Sequence, residues 1–341
     1  DVYKRQGLLN ATATATALSA NVAVVNKGVA AAADAVWDGG TKAEASAVGI
    51  AGDGGDRSRK TYLAIGTDEF KSEKETIIAD GADSIDNSGE INSTSTANAA
   101  SIGVAVAAKG VGVATSTATA ESRAAAIDAG SEASVDEVYN SGKLTADSTA
   151  RAAAASVSVT NEGLAVSADS VWDGGTKATA EVRGIDVGAG GETLTNDGQI
   201  DALADAETAS ASIAVSMKGV AGASSTSTSK ADAIAIDASE GNDVDTVTNN
   251  GVLNVDATSL AAAASISVTN EGLAIASGAV WDGGTGAESV ARGIDVGDGG
   301  DVIENTGAVS VSSNSAAAEA AVGVAVKGVA GAIATSTSES N

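Results

Sequence analysis

The residues of this chain that could carry out chemistry are almost all carboxylates. There are 45 Asp and Glu against 19 Lys and Arg, the formal net charge is −26, and Cys, His and Pro are absent. The chain therefore has no thiolate nucleophile, no imidazole base and no Cys- or His-based metal site. The negative charge disfavours nucleic acid and anionic membranes as partners and favours divalent cations. We expect no nucleic-acid binding and, since no run of 18 apolar residues occurs, no membrane insertion by this segment.

The elements that must position these carboxylates follow a regular glycine spacing. Six times a glycine is followed 21 residues later by a second glycine, which Lys or Glu precedes. The pairs are Gly7/Gly28, Gly89/Gly110, Gly142/Gly163, Gly198/Gly219, Gly251/Gly272 and Gly307/Gly328. In five pairs the first glycine closes an Asn-x-Gly triplet, and successive triplets lie 53, 56, 53 and 56 residues apart. A unit of about 54 residues predicts an array of stacked supersecondary units.

The predicted domain organisation is a single repeat array over residues 7–341, truncated at both ends. Its units are about 7–86, 87–139, 140–195, 196–248, 249–304 and 305–341. Residues 1–6 read Asp-Val-Tyr-Lys-Arg-Gln, which matches the translation of a transposase adapter used to prepare sequencing libraries. We interpret them as a sequencing artefact and the chain as a fragment from assembled environmental DNA, without its signal or anchor.

Alternation of apolar and small polar residues within each unit predicts β-strands. Val157 and Val159, for example, share one face of a strand with Ser between them. The Ala-rich runs could be helical, but no 3.6-residue stripe emerges. Aromatic residues are 2% of the chain, so a core of Ala, Val and Ile must be thin. A slip in the alternation at Glu207-Thr208 predicts a bulge or a corner.

The predicted fold class is an all-β, elongated repeat β-solenoid, similar to a parallel β-helix, with about 54 residues per unit. Each unit forms one flattened coil that turns back at the Lys/Glu-Gly pair. The alternative is an antiparallel meander of long hairpins that turn at the same glycines. Parallel stacking places Gly163 beside Gly219 and sets Trp172 two coils from Trp281. Hairpins would instead pair Val159 with residues just beyond Gly163.

Two features stand out from the repeat. The sequence Trp-Asp-Gly-Gly-Thr occurs at Trp37, Trp172 and Trp281. It predicts a wide turn covered by the indole, or a platform on which carbohydrate stacks. An irregular insertion at about 57–82 holds the only Phe and five basic residues. It is either a loop excursion, a short helix or a binding element on one face of the array.

A longer motif gives a family resemblance. Gly293-Ile-Asp-Val-Gly-Asp-Gly-Gly-Asp-Val-Ile-Glu-Asn-Thr-Gly307, with a second copy from Gly184 to Gly198, resembles rungs of β-solenoids in large secreted bacterial surface proteins. Autotransporter passengers and giant adhesins are examples. The resemblance implies an extracellular or cell-surface location, with extracellular glycans or a host or cell surface as partners.

A narrower resemblance concerns calcium. Gly297-Asp-Gly-Gly-Asp301-Val-Ile303 is similar to the calcium-binding nonapeptide of repeats-in-toxin proteins, without its first Gly. Gly52-Asp-Gly-Gly-Asp56 fits until Ser58, and Gly188-Ala-Gly-Gly-Glu192 has Glu in place of Asp. The resemblance implies Ca²⁺ as a candidate cofactor, and ordinary turns are the alternative. The implied side-chain ligands are Asp53, Asp56, Asp298 and Asp301.

These patterns predict a non-catalytic structural or adhesive segment, a stalk or passenger, of a large bacterial surface or secreted protein. The first alternative is a polysaccharide-binding or polysaccharide-active β-helix, which would need paired acids at a defined separation. No carboxylate stands apart from the repeat, so we expect no enzyme activity. The second alternative is an ice-binding solenoid, which the arrays Thr12–Thr16, Thr115–Thr119 and Thr226–Thr228 suggest. A flat ice-binding face would need such rows on every coil.

Overall fold

Each repeat unit forms one coil of three strands, and equivalent strands of successive coils pair in parallel. The structure, a computed structural model, describes residues 2–5, 7–33, 40–51, 63–65, 68–70, 84–130, 135–168, 175–278 and 284–341. Within these residues the strands form three six-stranded parallel sheets and one small antiparallel pair. No helix that could span a membrane is found among them.

The three parallel sheets contain strands of three characteristic lengths. The short strands are β1 (Val2–Arg5), β6 (Ser84–Asn87), β9 (Glu137–Asn140), β12 (Thr193–Asn196), β15 (Thr246–Asn249) and β18 (Val302–Asn305). The long strands are β2 (Leu8–Ala33), β7 (Glu90–Thr115), β10 (Lys143–Ala168), β13 (Gln199–Ser224), β16 (Val252–Ser277) and β19 (Ala308–Ile333). The third set is β3 (Thr41–Ala51), β8 (Ala118–Asp128), β11 (Thr176–Asp186), β14 (Ser227–Asp237), β17 (Thr285–Asp295) and β20 (Ser336–Ser340). The antiparallel pair is β4 (Leu63–Ile65) with β5 (Asp68–Phe70).

The register of the long strands confirms the parallel solenoid. Gly163 of β10 is the partner of Gly110 in β7 on one side and of Gly219 in β13 on the other. Every long strand therefore stacks on the one that starts 53, 56 or, across the insertion, 82 residues away. The antiparallel meander is wrong, because the ladders of all the long strands are parallel. The expected alignment of Trp172 with Trp281 lies outside the described residues.

Each long strand bends back on itself at the Lys/Glu-Gly pair and forms a β-arch. The hydroxyl of Ser167 donates to that of Ser156 at 2.9 Å, although 11 residues separate them. In a straight strand they would be about 36 Å apart. The chain thus reverses near Asn161–Gly163, with an outgoing arm (143–160) facing a return arm (162–168). The expected reversal is confirmed, but the two arms meet through side chains while each pairs with the neighbouring coils.

Glycine is required at the tip of the arch. Gly163 has φ of +131°, a conformation that side chains disfavour. A Cβ built there would also lie 1.9 Å from the carbonyl oxygen of Gly110 in the coil below. The regular spacing of these glycines therefore reflects two constraints, a left-handed turn and close contact between coils.

The core is thin and changes character across the coil. Aliphatic side chains are buried near the Asn-x-Gly corner, for example Leu144, Ile185 and Leu194 from the three strand types. Further along the outgoing arm the inward residues are Ala, Ser and Thr, and Ser156 and Ser158 are fully buried. Small side chains let the two layers of a flattened coil approach closely, as the sequence predicted.

Other local expectations have mixed outcomes. Burial alternates without interruption through Glu207 and Thr208, so the predicted bulge or corner there is wrong; the bend lies at the arch tip. The insertion at 57–82, apart from the strands β4 and β5, and the Trp-Asp-Gly part of each Trp-Asp-Gly-Gly-Thr turn lie outside the described residues. Residues 2–5 form β1, which places Arg5 in register with Asn87; the interpretation of 1–6 as an artefact stays a prediction.

Candidate functional site: two buried acidic columns

An asparagine ladder holds the corner of the coil next to the acidic residues. The Asn-x-Gly asparagines donate from Nδ2 to Oδ1 of the next coil at 2.8, 2.7, 2.7 and 2.7 Å. The five residues are Asn87, Asn140, Asn196, Asn249 and Asn305. The first four are completely buried. A buried amide needs partners on both its atoms, and the repeat supplies them from the coils on each side.

Close contact between successive coils requires glycine at the third position of each triplet. A Cβ on Gly142 would lie 2.0 Å from the carbonyl oxygen of Gly89 in the preceding coil. The amide nitrogen of Gly142 also donates to Oδ1 of Asn140 at 3.2 Å. The triplet therefore combines a side-chain ladder with a close backbone contact between successive coils.

The first acidic column, which we call the strand-end column, consists of the last residues of four third-type strands. They are Asp128, Asp186, Asp237 and Asp295, which are register partners in successive coils. In each, Oδ1 accepts the backbone N–H two residues later, at 3.2 to 3.4 Å. The column is therefore a stack of identical turns, with one carboxylate per coil.

Stacked carboxylates disfavour their own ionisation. Burial, followed by the charges of Asp128 and Asp237, raises the pKa of Asp186 to about 7, against a smaller opposing effect of Arg183. Arg183 itself lies beside the next carboxylate, with Nε 2.5 Å from Oδ2 of Asp237. Asp186, one of the two inner members of the strand-end column, is therefore partly protonated near neutral pH.

The second column, which we call the loop column, directly precedes the short strands. Its members are Asp136, Glu192, Asp245 and Asp301, which follow from the register of the adjoining strands. The backbone N–H of Glu192 donates to Oδ1 of Asp245 at 3.0 Å, and that of Asp245 donates to Oδ1 of Asp301 at 3.0 Å. The aspartate side chains of this column therefore connect one coil to the next.

Glu192 differs from the aspartates of the loop column. Only 2% of the residue is exposed, and neither carboxylate oxygen has a hydrogen-bond donor. Burial, then the carboxyl group of Asp245 beside it, raises the pKa of Glu192 to about 8; the charge of Asp136 adds to the effect. Two carboxylates in contact repel unless a proton or a cation lies between them. The Glu192–Asp245 pair therefore binds a proton at neutral pH, or a cation in its place.

The structure describes two of the four implied calcium ligands, and it places them on one loop with different exposure. Asp301 belongs to the loop column, whereas Asp298 is exposed on the preceding loop. Asp53 and Asp56 lie outside the described residues. Among the residues that the structure describes, no group of three or more acidic side chains is placed to hold a metal ion. The calcium ligands stay a prediction.

Sequence reasoning missed most of the two columns, although a regular spacing was available. An acidic residue lies four positions before every ladder asparagine: Asp83, Asp136, Glu192, Asp245 and Asp301. Similarly, Ile-Asp closes four of the third-type strands, and the motif Gly-Ile-Asp covers only two of them. Because these acids repeat with the coil, they resembled ordinary turn residues; only stacking shows that they are buried against one another.

The predicted threonine arrays do not form one surface. Thr12, Thr14 and Thr16 point outward from the outgoing arm of β2, but Thr12 is aligned with Asp147 and Leu203 two and three coils away. Thr115 is buried in the arch. Within the described residues, the threonines do not repeat as a flat row on every coil.

Comparison with known proteins adds no assignment. Searches against protein-family models, curated protein sequences and solved structures found no match to this chain. The parallel β-solenoid is thus established by the register and hydrogen bonds of the molecule itself.

Proposed function

We propose that this chain is a non-catalytic structural or adhesive segment, a stalk or passenger, of a large bacterial surface or secreted protein of the autotransporter or adhesin type. The observation that carries the proposal is the unbroken register of the long strands from the first coil to the last. A repeat array with one nearest-neighbour interface per coil acts as a rod whose length scales with the number of units.

The acidic columns support a structural role over a catalytic one. An active site needs a group of residues that differs from its surroundings in position or chemistry. Here each column repeats one acid at the same position in four successive coils, and six of the eight acids accept backbone hydrogen bonds. They serve the stacking of turns, and the net charge of −26 suits a soluble, extended surface. The Gly/Asp loops remain our candidates for calcium-dependent turns.

Deletion of two whole units tests the rod. Removing residues 140–248 joins Tyr139 to Asn249 and preserves the asparagine register. We expect a folded protein that is shorter by about 10 Å in small-angle X-ray scattering, because parallel coils are about 4.8 Å apart. The matched control removes residues 140–221, which ends within an arch and should disrupt cooperative unfolding.

Two outcomes would contradict the proposal. One is loss of folding in the whole-unit deletion, which would show that the units are not modular. The other is turnover of a polysaccharide by the full chain that Glu192→Gln abolishes, which would make the loop column catalytic. Binding of chain-coated beads to a glycan array or cell layer, without turnover, would identify the adhesive form of the role.

A further inference from the structure

The outer face of the long strands contains an apolar surface that the stalk itself does not use. We call it the apolar plate: Ala153, Ala155, Val157 and Val159 of β10, and the residues aligned with them in the other five long strands. All members are Ala, Val, Ile or Leu. In the four inner long strands they alternate with Ser, Thr, Ala and Gly that point inward, so the larger aliphatic side chains of this region point outward.

This arrangement reverses the usual distribution of polar and apolar residues. In β10, Ser156 and Ser158 are fully buried whereas Val157 and Val159 lie at the surface. In other coils Ile102 is 50% exposed and Ile266 is 36% exposed. The plate extends about 20 Å along the strands and about 24 Å across six coils, or about 500 Å². The largest apolar patches of monomeric proteins have about this size and are often functional.

We propose that the apolar plate is the interface between two copies of this chain, related by a two-fold axis that runs parallel to the solenoid axis. A flat sheet face is complementary to another flat sheet face at about 10 Å separation. The two-fold axis superposes coils of the same number and makes the outgoing arms antiparallel. It therefore brings the arch tip of one copy over the opposite border of the plate in the second copy.

The charges at these two borders are complementary under that symmetry. The tips of the two central coils carry Glu162 and Lys218. The opposite borders of the same coils carry Arg151 and Glu207, which are register partners with Nε 3.2 Å from Oε2. The two-fold operation places Glu162 over Arg151 and Lys218 over Glu207. Opposite charges meet in both coils, although the chain as a whole is strongly negative.

The remaining coils add no like-charge contact at this border. In the second and fifth coils the tip residues Lys109 and Glu271 lie over Asn98 and Leu260. From border to tip the footprint is about 36 Å by about 24 Å, so each copy contributes about 860 Å², which is typical of a stable protein interface. The geometry thus favours a second copy over a curved globular partner.

The test measures association of the full chain by sedimentation velocity between about 1 and 100 µM. We expect a dimer whose dissociation constant rises at least 100-fold in the double variant Val157→Lys/Ile213→Lys, because lysines in the centre of the interface lose their hydration. The matched control is Thr145→Lys/Asn254→Lys, which changes outward residues of the outgoing arms of β10 and β16 outside the plate. It should leave the dimer intact, and circular dichroism should show native folding in both variants.

Charge reversal adds an independent measurement. Glu162→Arg should weaken the dimer, since it faces Arg151, and the second change Arg151→Glu should restore association. A wild-type monomer at 100 µM overturns the proposal, as does a dimer that the plate lysines leave unchanged, which would indicate end-to-end contact of coils. Flotation of a monomeric chain with phosphatidylcholine vesicles would show that lipid covers the plate and would likewise overturn it. The whole-unit deletion measures the length of the rod, whereas sedimentation measures association. The proposed function and the proposed dimer can therefore fail independently.

Discussion

Replacement of a central ladder asparagine gives the sharpest test of how the coils are held together. In Asn196→Ala, the hydrogen bond from Nδ2 of Asn140 and the bond to Oδ1 of Asn249 are both lost, each of them 2.7 Å long. The mutation also leaves a buried donor on Asn140 and a buried acceptor on Asn249 without their ladder partners. Each orphaned group costs about 1–3 kcal/mol, so we expect a loss of about 2–6 kcal/mol in the free energy of unfolding.

The end of the ladder provides the matched control. Asn305 is exposed and accepts a single ladder bond, from Asn249 at 2.7 Å. Asn305→Ala should therefore lower the free energy of unfolding by about 1 kcal/mol, because loss of the exposed Asn305 side chain lets solvent reach Nδ2 of Asn249. Urea titrations followed by circular dichroism give both values. Equal losses at the two positions, or a loss below about 1 kcal/mol for Asn196→Ala, would refute a stabilising role for the buried ladder.

Three further predictions concern the acids and the arch. The folded state binds a proton more tightly than the unfolded state where the pKa is raised, to about 7 in the strand-end column and about 8 at Glu192. That stabilisation is complete below about pH 4 and is lost as pH rises through 7 to 8, so the melting temperature should fall between pH 5 and 9, and fall less in Glu192→Gln. If Asp301 binds Ca²⁺, the melting temperature should be higher in Ca²⁺ than in chelator and this difference should vanish in Asp301→Asn; equal midpoints in the wild type would remove the calcium prediction. Gly163→Ala should lower the melting temperature strongly because its Cβ would meet the carbonyl of Gly110, whereas Gly222→Ala, with no atom within 4 Å of its Cβ, should be nearly neutral.

Much of the fold was predictable because it depends on local periodicity. Alternation with period two identifies strands, and a glycine that needs positive φ marks each reversal, as at Gly163. The repeat length then implies stacking of equivalent segments. These inferences need only the spacing of residues along the chain, and they led to the parallel solenoid.

Other features were not predictable, because one sequence pattern is compatible with two environments. A polar pair at Glu207-Thr208 suggested a break, yet Thr208 is buried and Glu207 exposed in an uninterrupted strand. Likewise, alternation shows that Val157 and Val159 share a face but cannot say which face points inward. Serine fills the interior here because the two arms of the arch approach too closely for larger side chains.

The amino-acid sequence alone determined the strand class, the repeat length, the position of the reversals and the predominance of carboxylates, since each follows from residue type and spacing. Only the tertiary structure decided that the Asn-x-Gly amides form a ladder, that Glu192 contacts Asp245, and that an apolar plate faces outward. The physical reason is that these features arise between coils, from residues 53 or 56 positions apart that meet at a spacing of about 4.8 Å. Burial, shifted pKa values and surface character are properties of the stack.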